Sequence, residues 1–162
     1  MRKSAGFTTY ELMVTIAIMA VIAAITMPPY LKWYRASRLR SAVSSFAADL
    51  EMAKTEAIRE NAPVVVELGV NSYTMFFDTG DGGSGPPNWN WDTDERKILS
   101  RQMPPGVSID TASPSVPPPN NKFRFNSRGI PDDIFAPQTV KITQTNTDRQ
   151  ITMNRLGNIN VQ

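Results

Sequence analysis

The 162-residue chain has no cysteine and no histidine. Without cysteine there is no disulfide, no thiolate nucleophile and no thiolate metal site. Without histidine a Ser-His-Asp triad is impossible, and the usual general base and commonest zinc ligand are missing. A basic excess is also lacking. The formal charge of +2 comes from 17 basic and 15 acidic residues, and removing Arg2 and Lys3 leaves the remainder balanced. From Asn61 onward the acids slightly outnumber the bases, so this part has no net basic pull on nucleic acid. Hydroxyls are plentiful, but nothing in their arrangement supports catalysis. The Asp132-Asp133 pair reads as turn chemistry.

What the chain has in abundance is an apolar run near its start. Phe7 to Met27 is 21 residues carrying one charge, Glu11. At about 1.5 Å per residue this makes roughly 30 Å of helix, the thickness of a bilayer's hydrocarbon core. A buried core helix is disfavoured, because the run is apolar on every face and follows a basic leader, Met1-Arg2-Lys3. A secretory signal peptide is the rival reading, with Ala20, Ala23 and Ala24 near a cleavage point. Glu11 would then fall inside the segment that must be apolar. A charge at the centre of a membrane helix costs about 2.5–3.5 kcal/mol on insertion scales, and less near an end. No Lys or Arg on the helix is within reach of Glu11. The nearest candidate cation is an α-amino group created by a cut just before Phe7, after the small residue Gly6.

Those residues, "GFTTYE", carry a resemblance to the processing site of type IV prepilins. The resemblance implies a cut between Gly6 and Phe7 by a membrane prepilin peptidase on the cytoplasmic side. It also implies N-methylation of Phe7 and a role for Glu11, fifth in the mature chain, in neutralising a neighbouring subunit's terminal amine during assembly. Pro28 fits the same pattern, since many members carry a helix-loosening proline at that depth.

Pro28 and Pro29 withdraw two backbone donors and are expected to kink or locally unwind the helix. Beyond them Leu39, Val43, Phe46, Leu50, Ala53 and Ala57 recur at spacings of three and four. They form one apolar stripe, with Arg38, Arg40, Asp49, Glu51, Lys54 and Glu56 mostly off it. Asn61 and Pro63 end this helix. The period then changes. Val64 to Gly69 and Ser72 to Thr79 read as an antiparallel hairpin. Asp78 to Glu95 is a long Gly/Pro/Asp loop. Short strands follow in "RKILSRQ", "GVSID" and "KFRFN", and Ser113 to Asn121 is Pro-rich extended loop. "QTVKITQT", "RQITMN" and "GNINVQ" close as a meander. "FNSRG" and "MNRLGN" form a candidate pseudo-repeat, each a strand running into a Gly turn.

The expected organisation is a leader (1–6), a membrane and filament-core helix (7–29), an amphipathic helix (30–62) and a β-rich head (63–162). The fold class is α+β, a long N-terminal helix packed on an antiparallel β head. The order of pieces, with "LSRQMPPGVSI", "FNSRGIP" and "ITMNRLGNI", resembles the GspH/FimT group of minor pseudopilins and minor pilins. This resemblance implies two packed sheets in the head. It also implies a structural subunit of a type IV pilus or type II secretion pseudopilus, held first in the inner membrane with its head periplasmic and then assembled into a filament. Its partners would be other pilin or pseudopilin subunits, the peptidase and the assembly platform. The alternative from another class is a secreted β-rich binding module released from a signal peptide.

Other candidates are weighed on their chemistry. Ala20, Ala23 and Ala24 share a helix face and suit either membrane filler or close helix approach in a filament core. Lys32, Arg35, Arg38 and Arg40 read as a juxtamembrane face reaching lipid head groups, with Trp33 and Tyr34 as interface aromatics. Four basic residues here against two in the leader run against the positive-inside rule, so orientation rests on the resemblance. Some FimT-type minor pilins bind DNA through a Gly-Arg-rich tail turn. Here "RLGNINVQ" lacks the basic residues after Gly157, which argues against a DNA-uptake role. Asp78 and Asp81 are weak candidates for Ca²⁺, because the spacing places Gly80 where an oxygen ligand would stand. A solvated loop is the preferred reading, and no cofactor is expected. Trp89 and Trp91 in that loop suit packing on the head or contact with a neighbouring subunit.

Overall fold

The computed structural model describes residues 6–80, 86–111, 121–132, 138–145 and 147–162. Among these residues one helix, α1 (Thr9–Arg59), precedes eight strands: β1 (Val64–Leu68), β2 (Ser72–Phe77), β3 (Lys97–Gln102), β4 (Ser108–Asp110), β5 (Lys122–Phe125), β6 (Gln138–Gln144), β7 (Thr147–Met153) and β8 (Ile159–Val161). The chain divides into two compact units, one ending at Ser37 and one running Arg38–Gln162.

In the first unit every described residue is exposed, apolar side chains included. Among the described residues this is the one stretch of helix long and apolar enough to cross a membrane. The α-helix continues through Pro28 and Pro29, so the local unwinding expected of the pair is not found. The prolines cannot donate to the carbonyls of Ala24 and Ile25. Just before them the Thr26 hydroxyl donates to the carbonyl of Ile22 at 3.0 Å.

In the second unit the apolar stripe of α1 is buried as its spacing predicts: Leu39, Val43, Phe46, Leu50, Ala53 and Ala57, joined by Ala42. Asp49 departs from the pattern, for it is buried with the stripe instead of lying off it. The helix closes through Asn61, whose φ of 49° is left-handed, while the Ala62 amide reaches the Ala57 carbonyl at 3.2 Å. Asn tolerates that conformation better than most residues because its short side chain bonds locally.

Two antiparallel sheets share one core with this half of α1, in strand orders β3-β2-β1-β5 and β4-β6-β7-β8. The first grows from the hairpin, in which Val66 opposes Met75, and β5 returns to pair with the free side of β1. β1 is thus an inner strand. Its run Val64-Val65-Val66 is buried on both faces, which explains a continuous apolar sequence where an alternating one would suit a half-exposed strand. The second sheet is the expected meander with β4 added beside β6. Phe46 of α1 meets Tyr73 of β2 edge to face, with ring centroids 4.7 Å apart. Burying a side chain of this size contributes about 1.5–3 kcal/mol. The core therefore ties the helix firmly to the sheets from Leu39 onward.

Candidate assembly site

Glu11 lies in the first turn of α1, and the local sequence Thr8-Thr9-Tyr10-Glu11 is a capping box. Thr8 donates to Glu11 Oε2 twice, from its backbone N–H and from its hydroxyl, both at 2.9 Å. In return the Glu11 N–H reaches Thr8 Oγ1 at 3.3 Å. This reciprocal arrangement satisfies amides that would otherwise be orphaned at the helix start. The sequence reading gave Glu11 an intersubunit amine as its partner and none within its own chain, whereas Thr8 is one. The signal for the capping box was present in the T-x-x-E spacing. Both Thr8 bonds fall on one oxygen, and among the described residues Oε1 has no donor. Gly6 and Phe7 precede the helix; Phe7 is 83% exposed, and a Cβ added at Gly6 would meet nothing within 4 Å. Among the described residues nothing packs against the segment at the expected cut.

The head carries three polar assemblies that composition did not reveal. In the first, buried Asp49 accepts the Tyr73 hydroxyl at 2.5 Å and pairs with Arg101 at 3.1 Å. This joins α1 to β2 and β3. Burial, reinforced by the hydrogen bond to Asp49, pushes the Tyr73 phenol well above its ordinary value.

The second assembly is the loop after β2. Asp78 is fully buried; its Oδ1 accepts the Asn88 amide at 2.9 Å, and its Oδ2 accepts the Trp89 amide at 3.1 Å and Arg124 Nη1 at 3.0 Å. Arg124 also grips Asp132 at 2.7 Å and lies 4.3 Å above the Trp89 ring. Glu95, also buried, accepts the amides of Thr79, Gly80 and Asp92. Arg124 is the register partner of Val65, so this loop covers the outer face of the first sheet. The weak calcium candidate Asp78 therefore spends its oxygens on Arg124 and two amides. Asp81 and Asp133 lie outside the described residues. Trp89 and Trp91 both contact the head: Arg124 lies over the Trp89 ring, the Lys97 ammonium is 3.8 Å from the Trp91 ring centroid, and the Trp91 indole donates to the Glu95 carbonyl.

The third assembly confirms the pseudo-repeat. In "NSRGI" the Asn126 Oδ1 accepts the amides of Arg128 and Ile130, and its carbonyl accepts the Gly129 amide. In "NRLGN" the Asn154 Oδ1 accepts the amides of Leu156 and Asn158, and its carbonyl accepts the Gly157 amide. Both glycines have left-handed φ, 72° and 77°. The two turns stack against each other. A Cβ on Gly157 would stand 2.7 Å from the Gly129 carbonyl oxygen, and Lys54 of α1 donates to the Gly157 carbonyl at 3.0 Å. The helix, the end of β5 and the end of β7 thus converge at one clamp.

The GspH family model, described as type II transport protein GspH, matches residues 42–157. The chain belongs to the GspH family. The match takes in α1 from Ala42 onward, strands β1 to β7 and the glycines of both stacked turns. Two solved structures carry the same fold. The type IV minor pilin FimU of Pseudomonas aeruginosa is 15% identical, with a TM-score of 0.55 over 80% of this chain and 92% of its own. The minor pseudopilin EpsH of the Vibrio cholerae type 2 secretion system is 18% identical, with a TM-score of 0.55 over 77% and 96%. No curated protein matches the chain in sequence.

Proposed function

We propose that this chain is a structural subunit, of the minor kind, in a type II secretion pseudopilus or type IV pilus. One observation carries the reading: a membrane-length apolar helix bearing Glu11 leads into a GspH head. Work of this kind needs no catalytic group. The apolar helix anchors the chain in the inner membrane with its head in the periplasm, then passes into the core of a filament. Prepilin peptidase cuts between Gly6 and Phe7 and methylates Phe7. The new amine of one subunit then meets Glu11 of the next, a pairing favoured in hydrocarbon because each lone charge is so unfavourable there. Pro28 and Pro29 leave the helix continuous but remove two of its backbone donors near the end of the apolar run. The family's description favours the secretion pseudopilus over the pilus. The assembly platform and sister subunits are the partners.

The test begins with the N-terminus of the mature protein in its own cells. A methylated Phe7 start is expected, while a start near Ile25 would establish a secreted module instead. Glu11→Ala is expected to leave the protein processed and membrane-held but poorly incorporated into filaments. Normal incorporation would remove the reason for Glu11.

A further inference from the structure

Within the second unit an apolar cleft of about 280 Å³ lies between α1 and the free edge of the second sheet. Its lining is Arg40, Val43, Ser44 and Ala47 from the helix, Arg149 from β7 and Val161 from β8. The floor is aliphatic and no acid lines it. Both arginines are exposed, and neither guanidinium has a hydrogen-bond or acidic partner among the described residues. Two unpaired like charges flanking an aliphatic hole repel each other, and a carboxylate placed between them relieves that repulsion. The volume, just under the roughly 300–1,000 Å³ typical of small-molecule sites, accommodates a branched or aromatic side chain.

We propose that this cleft receives an apolar side chain with a neighbouring carboxylate, presented by a different subunit of the same filament. The proposal rests on the filament reading above. The charge inventory of this chain argues against a second copy as the donor. Glu51, Glu56, Glu60, Glu67 and Asp148 on the surface of the second unit are each ion-paired within their own chain. Among its described carboxylates, only Asp94 has no donor. Among its described residues the unit therefore has guanidinium groups to offer and little free carboxylate to answer them. This balance favours an acid from another sequence. The position of the cleft agrees, since β8 is the last strand of its sheet and its outer side is open to a neighbour.

The experiment places a photo-cross-linking benzoylphenylalanine at Ser44 of the full chain, in cells assembling the filament. A second strain carries the same probe at Val14 in the apolar helix. The expected result is a Ser44 adduct with another pilin-like subunit, mapped to a peptide in which Asp or Glu neighbours an apolar residue. Its yield is expected to fall on the order of tenfold in Arg40→Glu/Arg149→Glu, the effect of losing a close charge pair. Reversing the partner's acid to Lys is expected to restore it. An adduct with lipid, an adduct with a second copy of this chain, or a yield insensitive to charge reversal would each overturn the proposal. Subunit adducts at Val14 with none at Ser44 would sink the proposal alone, whereas no subunit adducts at either position would sink the filament reading beneath it.

Discussion

Gly157→Ala is expected to destabilise the head by about 3 kcal/mol, although it adds a single methyl group. Two terms make up this figure. A left-handed backbone costs an L-residue roughly 1–2 kcal/mol relative to glycine, and Gly157 has φ of 77°. The new Cβ would also lie 2.7 Å from the Gly129 carbonyl oxygen, which is backbone and cannot rotate away. Relief requires separating the stacked turns, which weakens the 3.0 Å bond from Lys54 to the Gly157 carbonyl and uncovers buried backbone. That adds about 1–2 kcal/mol. Gly106→Ala is the internal control. Its φ of 81° imposes the same backbone strain, but a Cβ there meets nothing within 4 Å. The control should lose only about 1 kcal/mol, partly offset by reduced freedom of the unfolded chain. The assay is thermal unfolding of the full chain in detergent, followed by near-UV circular dichroism. At a few degrees per kcal/mol the two variants should separate by roughly 5 °C or more. Equal shifts would mean that the turns do not touch, and the clamp would have to be abandoned.

Asn126→Ala and Asn154→Ala each remove an acceptor for two backbone amides. Each should cost about 1–2 kcal/mol, and the double variant less than the sum because the turns lean on each other; full additivity in urea unfolding would contradict the stacking. Arg124→Met should cost about 3–5 kcal/mol, since it leaves Asp78 buried with only amide partners. Trp89 fluorescence should change in that variant, and an unchanged spectrum with unchanged stability would refute the stacked geometry. Tyr73 gives a pH prediction. Its phenol is held neutral by burial and by Asp49, so its folded pKa lies above the unfolded value of about 10. The stabilisation is therefore complete below pH 10 and falls above it by about 1.4 kcal/mol per pH unit. Tyr73→Phe should flatten that alkaline slope, and an unaltered slope would count against the assignment. Thr8→Val removes the hydroxyl bond to Glu11 and should lower the yield of membrane-held protein without abolishing processing, as measured by fractionation and N-terminal sequencing.

The parts of this molecule that could be read in advance are those governed by period. The stripe from Leu39 to Ala57 obeys the helical repeat because it faces a single core, and each strand announced itself by β-branched and aromatic residues between turn formers. What escaped was whatever depends on residues far apart in the chain. Asp49 looks like a surface residue by charge, and only the arrival of Tyr73 and Arg101 makes its burial tolerable. Asp78 and Glu95 sit in a stretch whose composition suggests solvent, yet each collects amides that only the closed loop presents. No local pattern says that β5 crosses back to β1 or that Arg124 lands over Trp89. The pseudo-repeat lies between these cases. Its spacing was visible, but the two turns become one device only when the sheets bring Gly129 and Gly157 together.

Under the proposed function, Glu11 serves two partners without conflict. A lone carboxylate in the first turn of a membrane helix would be costly, and a second subunit's amine is absent until assembly. Thr8 fills the interval: its two bonds fall on Oε2, and the positive end of the helix dipole favours the charge at that place. An ionised carboxylate offers about four acceptor sites over its two oxygens, so the capping box uses only half of them. Oε1 remains for the amine that the proposed assembly step brings. On this view the intersubunit pair need not break the cap in order to form. The cost of waiting in the bilayer and the gain on assembly then fall on different atoms of the same side chain, and a subunit can be stable in the membrane and still drawn into a filament.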